Sequence, residues 1–233
     1  MTATYTTDLL DLRLGDCMDL MRDTPDGFFD LAIVDPPYGI NVCDNKAGMG
    51  RRKGDARATY KMSDWDSCPP GPEYFAELRR VSKHQIIWGA NHFIDRIPLR
   101  SSCWVMWDKI QEFSLADFEL AWTSFDSPAR SFRFSRGQAA HEKKGQAIHP
   151  TQKPVALYKW LLANYSAPGQ RILDTHLGSG SIAIACHYFG AHLTACEIDP
   201  DYFAAAVQRI ERETQQVELP LAAAPRSEQL PFL

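Results

Sequence analysis

Four short β-patterned runs in this chain end at an acidic residue, and that repeated ending constrains the fold more than any other feature. Leu10-Asp11-Leu12-Arg13-Leu14 alternates and stops at Gly15-Asp16. Leu31-Ala32-Ile33-Val34 is continuously apolar and closes on Asp35. Arg171 to Asp174 ends on its own aspartate, and His192 to Cys196 is followed by Glu197. A short unbroken apolar run reads as a strand covered on both faces, as in a parallel sheet. Gln85 to Trp88, Cys103 to Trp107, Phe118 to Thr123 and Arg130 to Phe134 read as further strands. Helical stripes alternate with them: Glu73 to Val81, a helix with Pro154 in its first turn, Ser181 to Phe189, and a helix from Pro200 capped by Asp199. Strands alternating with helices predict an α/β protein with a doubly wound, mostly parallel sheet. Such a sheet binds its ligands at the carboxyl ends of its strands.

The 233 residues fit one such domain. It is expected over 1–213, with insertions at about 41–64 and 110–148 and a flexible tail at 214–233. Two stretches, roughly 39–72 and 124–148, lack clean periodicity. Loops of that length in a compact domain are usually functional or disordered. The apolar content of 45% and charged content of 23% exclude a disordered or fibrous chain, and no apolar run is long enough to span a membrane. The N-terminus has no secretory pattern, and the six cysteines form no Cys-x-x-Cys pair. That argues against a zinc ribbon or disulfide framework and predicts no metal site and a reducing, cytoplasmic location.

The net charge of −4 conceals a split. Residues 46–61 carry six basic side chains against Asp55 alone, and residues 130–153 carry six against Glu142 alone. The rest of the chain is strongly acidic. Two basic segments on an acidic body read either as a polyanion-binding face or as two solvated loops. Their expected DNA contacts are Arg51, Arg52, Lys53, Arg57, Arg133, Arg136, Lys143 and Lys144.

Two strand ends carry the chemistry. After Asp174 comes Thr175-His176-Leu177-Gly178-Ser179-Gly180-Ser181, a glycine turn into a helix, with Ala183 completing Gly-x-Gly-x-x-Ala. That pattern is read either as a tight structural turn or as a nucleotide-type cofactor site. Asp174 and three more residues precede the first glycine, so a cationic group suits the turn better than a pyrophosphate. Glu197 is positioned to accept from ribose hydroxyls, and no Gly-Lys-Ser/Thr marks a P-loop. The other end is Asp35-Pro36-Pro37-Tyr38-Gly39. Two prolines fix φ and remove two donors, which leaves a carboxylate, a carbonyl and an aromatic ring together. Such a set suits a planar substrate bearing an amino group. A rigid turn with a capping Asp is the plainer alternative.

With Asp-Pro-Pro-Tyr, the Asp174–Ser181 turn and His149-Pro150-Thr151-Gln152-Lys153-Pro154 in this order, the sequence resembles the amino-group (N6-adenine/N4-cytosine) DNA methyltransferases of permuted, beta-type motif order. Thr175 and His176 stand where that family commonly has Pro and Phe. The resemblance covers about Leu10 to Ile210 and implies a Rossmann-like methyltransferase fold using S-adenosylmethionine. It implies site-specific transfer to adenine N6 in double-stranded DNA, as in restriction–modification, in a bacterial cell or a phage-infected host. Asp35, Pro36, Pro37 and Tyr38 are then catalytic. The cofactor would be bound by Asp16, Cys17, Asp35, Thr151, Gln152, Lys153, Asp174, His176, Leu177, Gly178, Ser179, Gly180 and Glu197. Of these, Asp16 and Cys17 are expected by the adenine ring, Glu197 on the ribose, Asp174 near the methionine ammonium and Thr151 to Lys153 near its carboxylate. The alternatives are N4-cytosine methylation, which more often has Ser at position 35, and a catalytically silent DNA-binding protein on the same fold. Trp107-Asp108-Lys109 lines the DNA cleft or forms a core Trp with a surface ion pair.

The tail ends Gln229-Leu230-Pro231-Phe232-Leu233. It resembles the peptide by which bacterial replication proteins dock on the sliding clamp. The other reading folds Phe232 onto the domain or onto the partner of a homodimer.

Overall fold

A computed structural model describes residues 3–40, 68–97, 100–110, 116–142, 147–149 and 151–215. The elements run β1 (Thr4–Thr6), β2 (Leu10–Leu14), α1 (Cys17–Arg22), β3 (Phe29–Val34), α2 (Pro72–Val81), β4 (Ser82–Trp88), β5 (Trp104–Asp108), β6 (Phe118–Thr123), β7 (Arg130–Arg133), α3 (Arg136–Glu142), α4 (Val155–Tyr165), β8 (Arg171–Asp174), α5 (Ser181–Phe189), β9 (His192–Glu197) and α6 (Pro200–Thr214). One sheet has the order β1-β2-β9-β8-β3-β4-β6-β5-β7. From β2 to β4 every pair is parallel, and β6 runs antiparallel to both β4 and β5. The expected doubly wound, mostly parallel sheet is present, with antiparallel pairs toward its edges.

The alternation hidden in the apolar runs is visible in β3. Leu31 and Ile33 join one core with α4, α5 and α6, while Ala32 and Val34 join the other with α1 and α2. Both faces are covered, so all four positions are apolar. The chain leaves β3 toward β4 on one side and leaves β8 toward β9 on the other. The crevice of an open α/β sheet opens at such a reversal. Here it lies between the ends of β3 and β8, where Asp35 and Asp174 stand.

The strands expected at Phe118–Thr123 and Arg130–Phe134 are present within 110–148 as β6, which pairs inside the sheet, and β7, which pairs with β5. Other expectations are corrected. Pro154 is the N-cap of α4 rather than part of its first turn. The structure adds β1, α1 and α3, each too short to leave a period in the sequence. Among the described residues no helix is long and apolar enough to cross a membrane. The insertion at 41–64, with Arg51, Arg52, Lys53 and Arg57, lies outside the described residues, as do Lys143, Lys144 and the tail beyond Gln215.

Candidate active site

Two cavities open side by side at the carboxyl edge of the sheet. The first, of about 280 Å³, lies over β2, β8 and β9. Its wall includes Asp16, Cys17, Asp35, Thr151, Gln152, Lys153, His176, Leu177, Gly178, Ser179 and Glu197. Eleven of the thirteen expected cofactor residues therefore share one cavity. Asp174 and Gly180 do not line it. Asp174 is buried beneath the turn, where its carboxylate accepts the His176 N–H at 3.0 Å. Gly180 has φ +71°, and a Cβ there would sit 2.8 Å from Ile210, so its role is the close approach of α5 to α6. Gly178, at φ +51°, is the glycine that the cavity itself requires. The sequence reading missed Tyr158, Ile198 and Tyr202 in this wall. They are apolar-stripe or loop residues with no motif to mark them.

Local geometry fixes this wall. Asp16 caps α1 by accepting the Met18 N–H at 2.8 Å, which aims the first turn of the helix at the cavity. Glu197 accepts the Gly178 N–H at 2.8 Å and the Asp199 N–H at 3.0 Å, so it braces the glycine turn. Burial pushes its carboxyl up, against those bonds. His149 meets Tyr202 edge-on at 4.6 Å and shares a 3.1 Å hydrogen bond with the Thr151 hydroxyl. His176 is hydrogen-bonded to the Thr175 hydroxyl at 2.9 Å, and burial pushes its pKa down to about 4. At neutral pH it is an uncharged ring.

Gln152 is the clearest sign that this cavity holds a ligand. Its side chain is 5% exposed and its Oε1 accepts the Ile148 N–H at 3.1 Å. Its Nε2 is buried with no hydrogen-bond partner among the described residues. A buried unpaired donor costs about 1–3 kcal/mol, a penalty that an acceptor on a ligand would remove.

The second cavity, of about 500 Å³, is lined by Asp35, Pro36, Pro37, Tyr38, Gly89, His92, Lys109, Phe118 and Glu119 among others. Asp35, Pro37, Thr151 and Lys153 line both cavities. Tyr38 stacks on His92 with ring centroids 5.0 Å apart, and its hydroxyl donates to Asp35 at 2.6 Å. Gly89 must be glycine: its φ is +69°, and a Cβ would fall 2.0 Å from the Tyr38 ring. Lys153 donates to the other oxygen of Asp35 and lies 3.2 Å from Glu119, which also pairs with Lys109 at 2.6 Å. The Lys153 ammonium is thus shared between two carboxylates rather than standing free in the first cavity. Trp107 is a core residue whose Nε1 donates to the Phe134 carbonyl at 2.9 Å, while Lys109 reaches the wall of the second cavity. Arg133 and Arg136 are exposed, with Arg133 paired to Asp108 at 3.0 Å.

The N6/N4 methyltransferase family model, described as DNA methylase, matches residues 87–208. The chain is similar to YubD of Escherichia coli (strain K12), named as a methylase, at 25% identity over 226 residues, which is 87% of this chain and 92% of that one. Its fold is similar to the M1.HpyAVI–SAM complex, with TM-score 0.57 and 17% identity over 86% of this chain and 100% of that chain. It is also similar to the cytosine-N4-specific PvuII DNA methyltransferase, with TM-score 0.58 and 14% identity over 90% and 93%.

Proposed function

Since the chain belongs to the N6/N4 DNA methylase family, we propose that it transfers a methyl group from S-adenosylmethionine to the N6 amine of adenine in double-stranded DNA. The observation that carries this reading is the position of Asp35 in the wall of both cavities, directly after a buried strand. One cavity suits the methyl donor and the other the base. The residues of the first fit the donor: Gln152 offers an unpaired N–H to the methionine carboxylate, while Asp174, buried beneath the glycine turn and not in the wall itself, supplies negative charge behind it for the ammonium. Asp16, Cys17 and Glu197 take the nucleoside end. When bound, the donor supplies an electrophilic methyl group on a sulfonium.

The exocyclic amine is a poor nucleophile because its lone pair is delocalised into the ring. Asp35 and the Pro36 carbonyl accept its two N–H bonds, which favours a more tetrahedral nitrogen and returns density to it. Acceptors fixed in advance stabilise the positive charge that develops on the amine. Fixed proximity and orientation contribute on the order of 7 kcal/mol or more. Asp35 need not act as a full base, since the product ammonium is acidic enough to lose its proton to water. The target base leaves the duplex to reach the cavity, and Tyr38 replaces part of its stacking. Asp at position 35, rather than Ser, favours adenine over cytosine. Arg133, Arg136 and the basic side chains of 46–61 supply phosphate contacts.

The test is transfer of a labelled methyl group to duplex DNA, followed by digestion to nucleosides. N6-methyladenine is expected. N4-methylcytosine would move the reading to the other amine, and no transfer to DNA would overturn it. Asp35→Ala is expected to abolish transfer while donor binding persists; transfer equal to the parent's would remove Asp35 from the chemistry.

A further inference from the structure

We propose that Lys153 and Glu119 are positioning residues for methyl transfer: the Lys153 ammonium, held from behind by Glu119, fixes the Asp35 carboxylate at the junction of the two cavities. The inference rests on the catalytic reading of Asp35. It removes Lys153 from the donor's carboxylate, where sequence resemblance put it, and gives a role to Glu119, which no sequence motif marked.

The geometry is over-determined from both sides. The Lys153 side chain is 3% exposed and donates to Asp35 and Glu119. It also lies 5.4 Å above the Trp88 ring, which walls it off from water. Its own carbonyl accepts from the Ser181 hydroxyl at 2.7 Å. Arg209 of α6 then donates to Ser181 at 2.9 Å and to the Ser179 carbonyl at 2.8 Å. The lysine is thus pinned at its backbone by the helices behind the glycine turn and at its ammonium by a strand of the sheet. Glu119 is held in turn by Lys109 at 2.6 Å. The four charges of this wall, Asp35, Lys153, Glu119 and Lys109, sum to zero.

That neutrality matters to the chemistry. A protonated Asp35 would present an O–H to an amine that itself donates, so only the carboxylate can accept from the substrate. Burial pushes the Asp35 carboxyl up, the Lys153 charge opposes it and Glu119 adds to it; the carboxyl stays above its ordinary value and so depends on Lys153 for its charge. Tyr38, donating to Asp35, also favours the charged form. Tyr158 of α4 and Asp174 of β8 are the remaining titratable groups that feel its charge. Burial alone would push Lys153 down, but the carboxylates of Asp35 and Glu119 outweigh it and hold the ammonium charged. Burial would push Glu119 up, but Lys153 and Lys109 outweigh it and bring it down to about 2. A charged lysine is therefore secured where Asp35 needs it. The donor's carboxylate is left to Gln152 and Thr151.

The experiment compares the parent with Lys153→Met, Lys153→Arg and Glu119→Gln. Each is measured for single-turnover methyl transfer to duplex DNA between pH 5.5 and 9, and for S-adenosylmethionine affinity by calorimetry. Lys153→Met is expected to lose roughly 100-fold in rate at neutral pH, to shift the acid limb of its pH profile upward, and to keep donor affinity within a few-fold. Lys153→Arg is expected to restore the limb, and Glu119→Gln to lower the rate by less than Lys153→Met without raising the limb, because the carboxylate it removes itself pushes Asp35 up. Weakened donor binding with an unchanged saturated rate would overturn the proposal and return Lys153 to the cofactor. So would a lower rate with an unmoved limb that Arg does not rescue. A second readout needs neither substrate nor turnover: the Asp35 carboxyl followed by ¹³C NMR in the free protein titrates at higher pH in Lys153→Met, or in Lys153→Gln should Lys153→Met not fold, than in Lys153→Arg. No difference overturns the proposal even if the parent transfers nothing to DNA, and transfer to cytosine instead of adenine leaves it standing.

Discussion

Asp174 is an unfavourably placed carboxylate. Its residue is 2% exposed, and burial raises its carboxyl to about 7, against the pull of the His176 N–H and the Lys153 charge and with help from Asp35 and Glu197. The folded chain therefore keeps a proton that the unfolded chain releases near pH 4. Across the window from about pH 4 to 7 that difference makes stability fall as pH rises, and above it the cost is constant. Asp174→Asn is expected to flatten this slope and to raise the thermal midpoint of the free protein at pH 8. The donor's ammonium compensates the charge, so the rise in midpoint caused by S-adenosylmethionine is expected to be larger at pH 8 than at pH 5.5 in the parent. In the Asn variant it is expected to be small at both. Scanning calorimetry at the two pH values reads all three, and an equal ligand-induced rise in parent and variant would detach Asp174 from the donor. His176 follows the same physics with the opposite sign: burial keeps it neutral, so it adds no cation beside a sulfonium.

At the scale of elements, the start of α4 shows how much of this fold is set by contacts distant in sequence. Pro154 caps the helix by its backbone angle alone and supplies no side-chain hydrogen bond. The cap comes from α3 instead: the Glu142 carboxylate accepts the Val155 N–H at 3.0 Å and the Ala156 N–H at 2.9 Å. The one acidic residue of a basic segment is therefore a structural partner of the helix dipole. Glu142→Ala is expected to destabilise the protein by about 1–2 kcal/mol, and Glu142→Gln by less. Urea denaturation measures both, and an unchanged midpoint for Glu142→Ala would mean that α3 does not hold α4. Asp199 makes the contrast. It caps α6 by accepting the N–H groups of Asp201 and Tyr202, and that local cap was legible as Asp-Pro before an apolar stripe.

For the whole molecule, the decisive quantity is where charge sits. A chain of net charge −4 binds a polyanion only if its positive groups are gathered on one face. The basic segment 46–61 follows Asp35-Pro36-Pro37-Tyr38 along the chain. Neutralising Arg51, Arg52 and Lys53 together is expected to weaken DNA binding and to flatten the dependence of log K on log salt, by about one unit for each phosphate no longer neutralised. Fluorescence anisotropy over a salt series checks it, and an unchanged slope would mean a solvated loop. Rates at saturating DNA are expected to hold, because none of the three is among the residues proposed for the chemistry.

What the sequence determined by itself was whatever depends on neighbours along the chain. Apolar runs ending in Asp35, Asp174 and Glu197 specify strands that must be covered on both faces and turns that must stand at their carboxyl ends. Gly178 and Asp35-Pro36-Pro37-Tyr38 advertise their turns because backbone conformation is a local property. The tertiary structure alone decided what depends on partners brought together by the sheet. Glu119 sits near the start of β6 with no motif around it, and only the pairing of β6 beside β4 carries it to Lys153. Gly180 reads as a second ligand glycine in the sequence, and only the packing of α5 on α6 shows that a Cβ there would meet Ile210. The strand reversal between β8 and β3 then sets two cavities against each other across Asp35, because parallel strands leaving in opposite directions open a crevice that no single segment encodes.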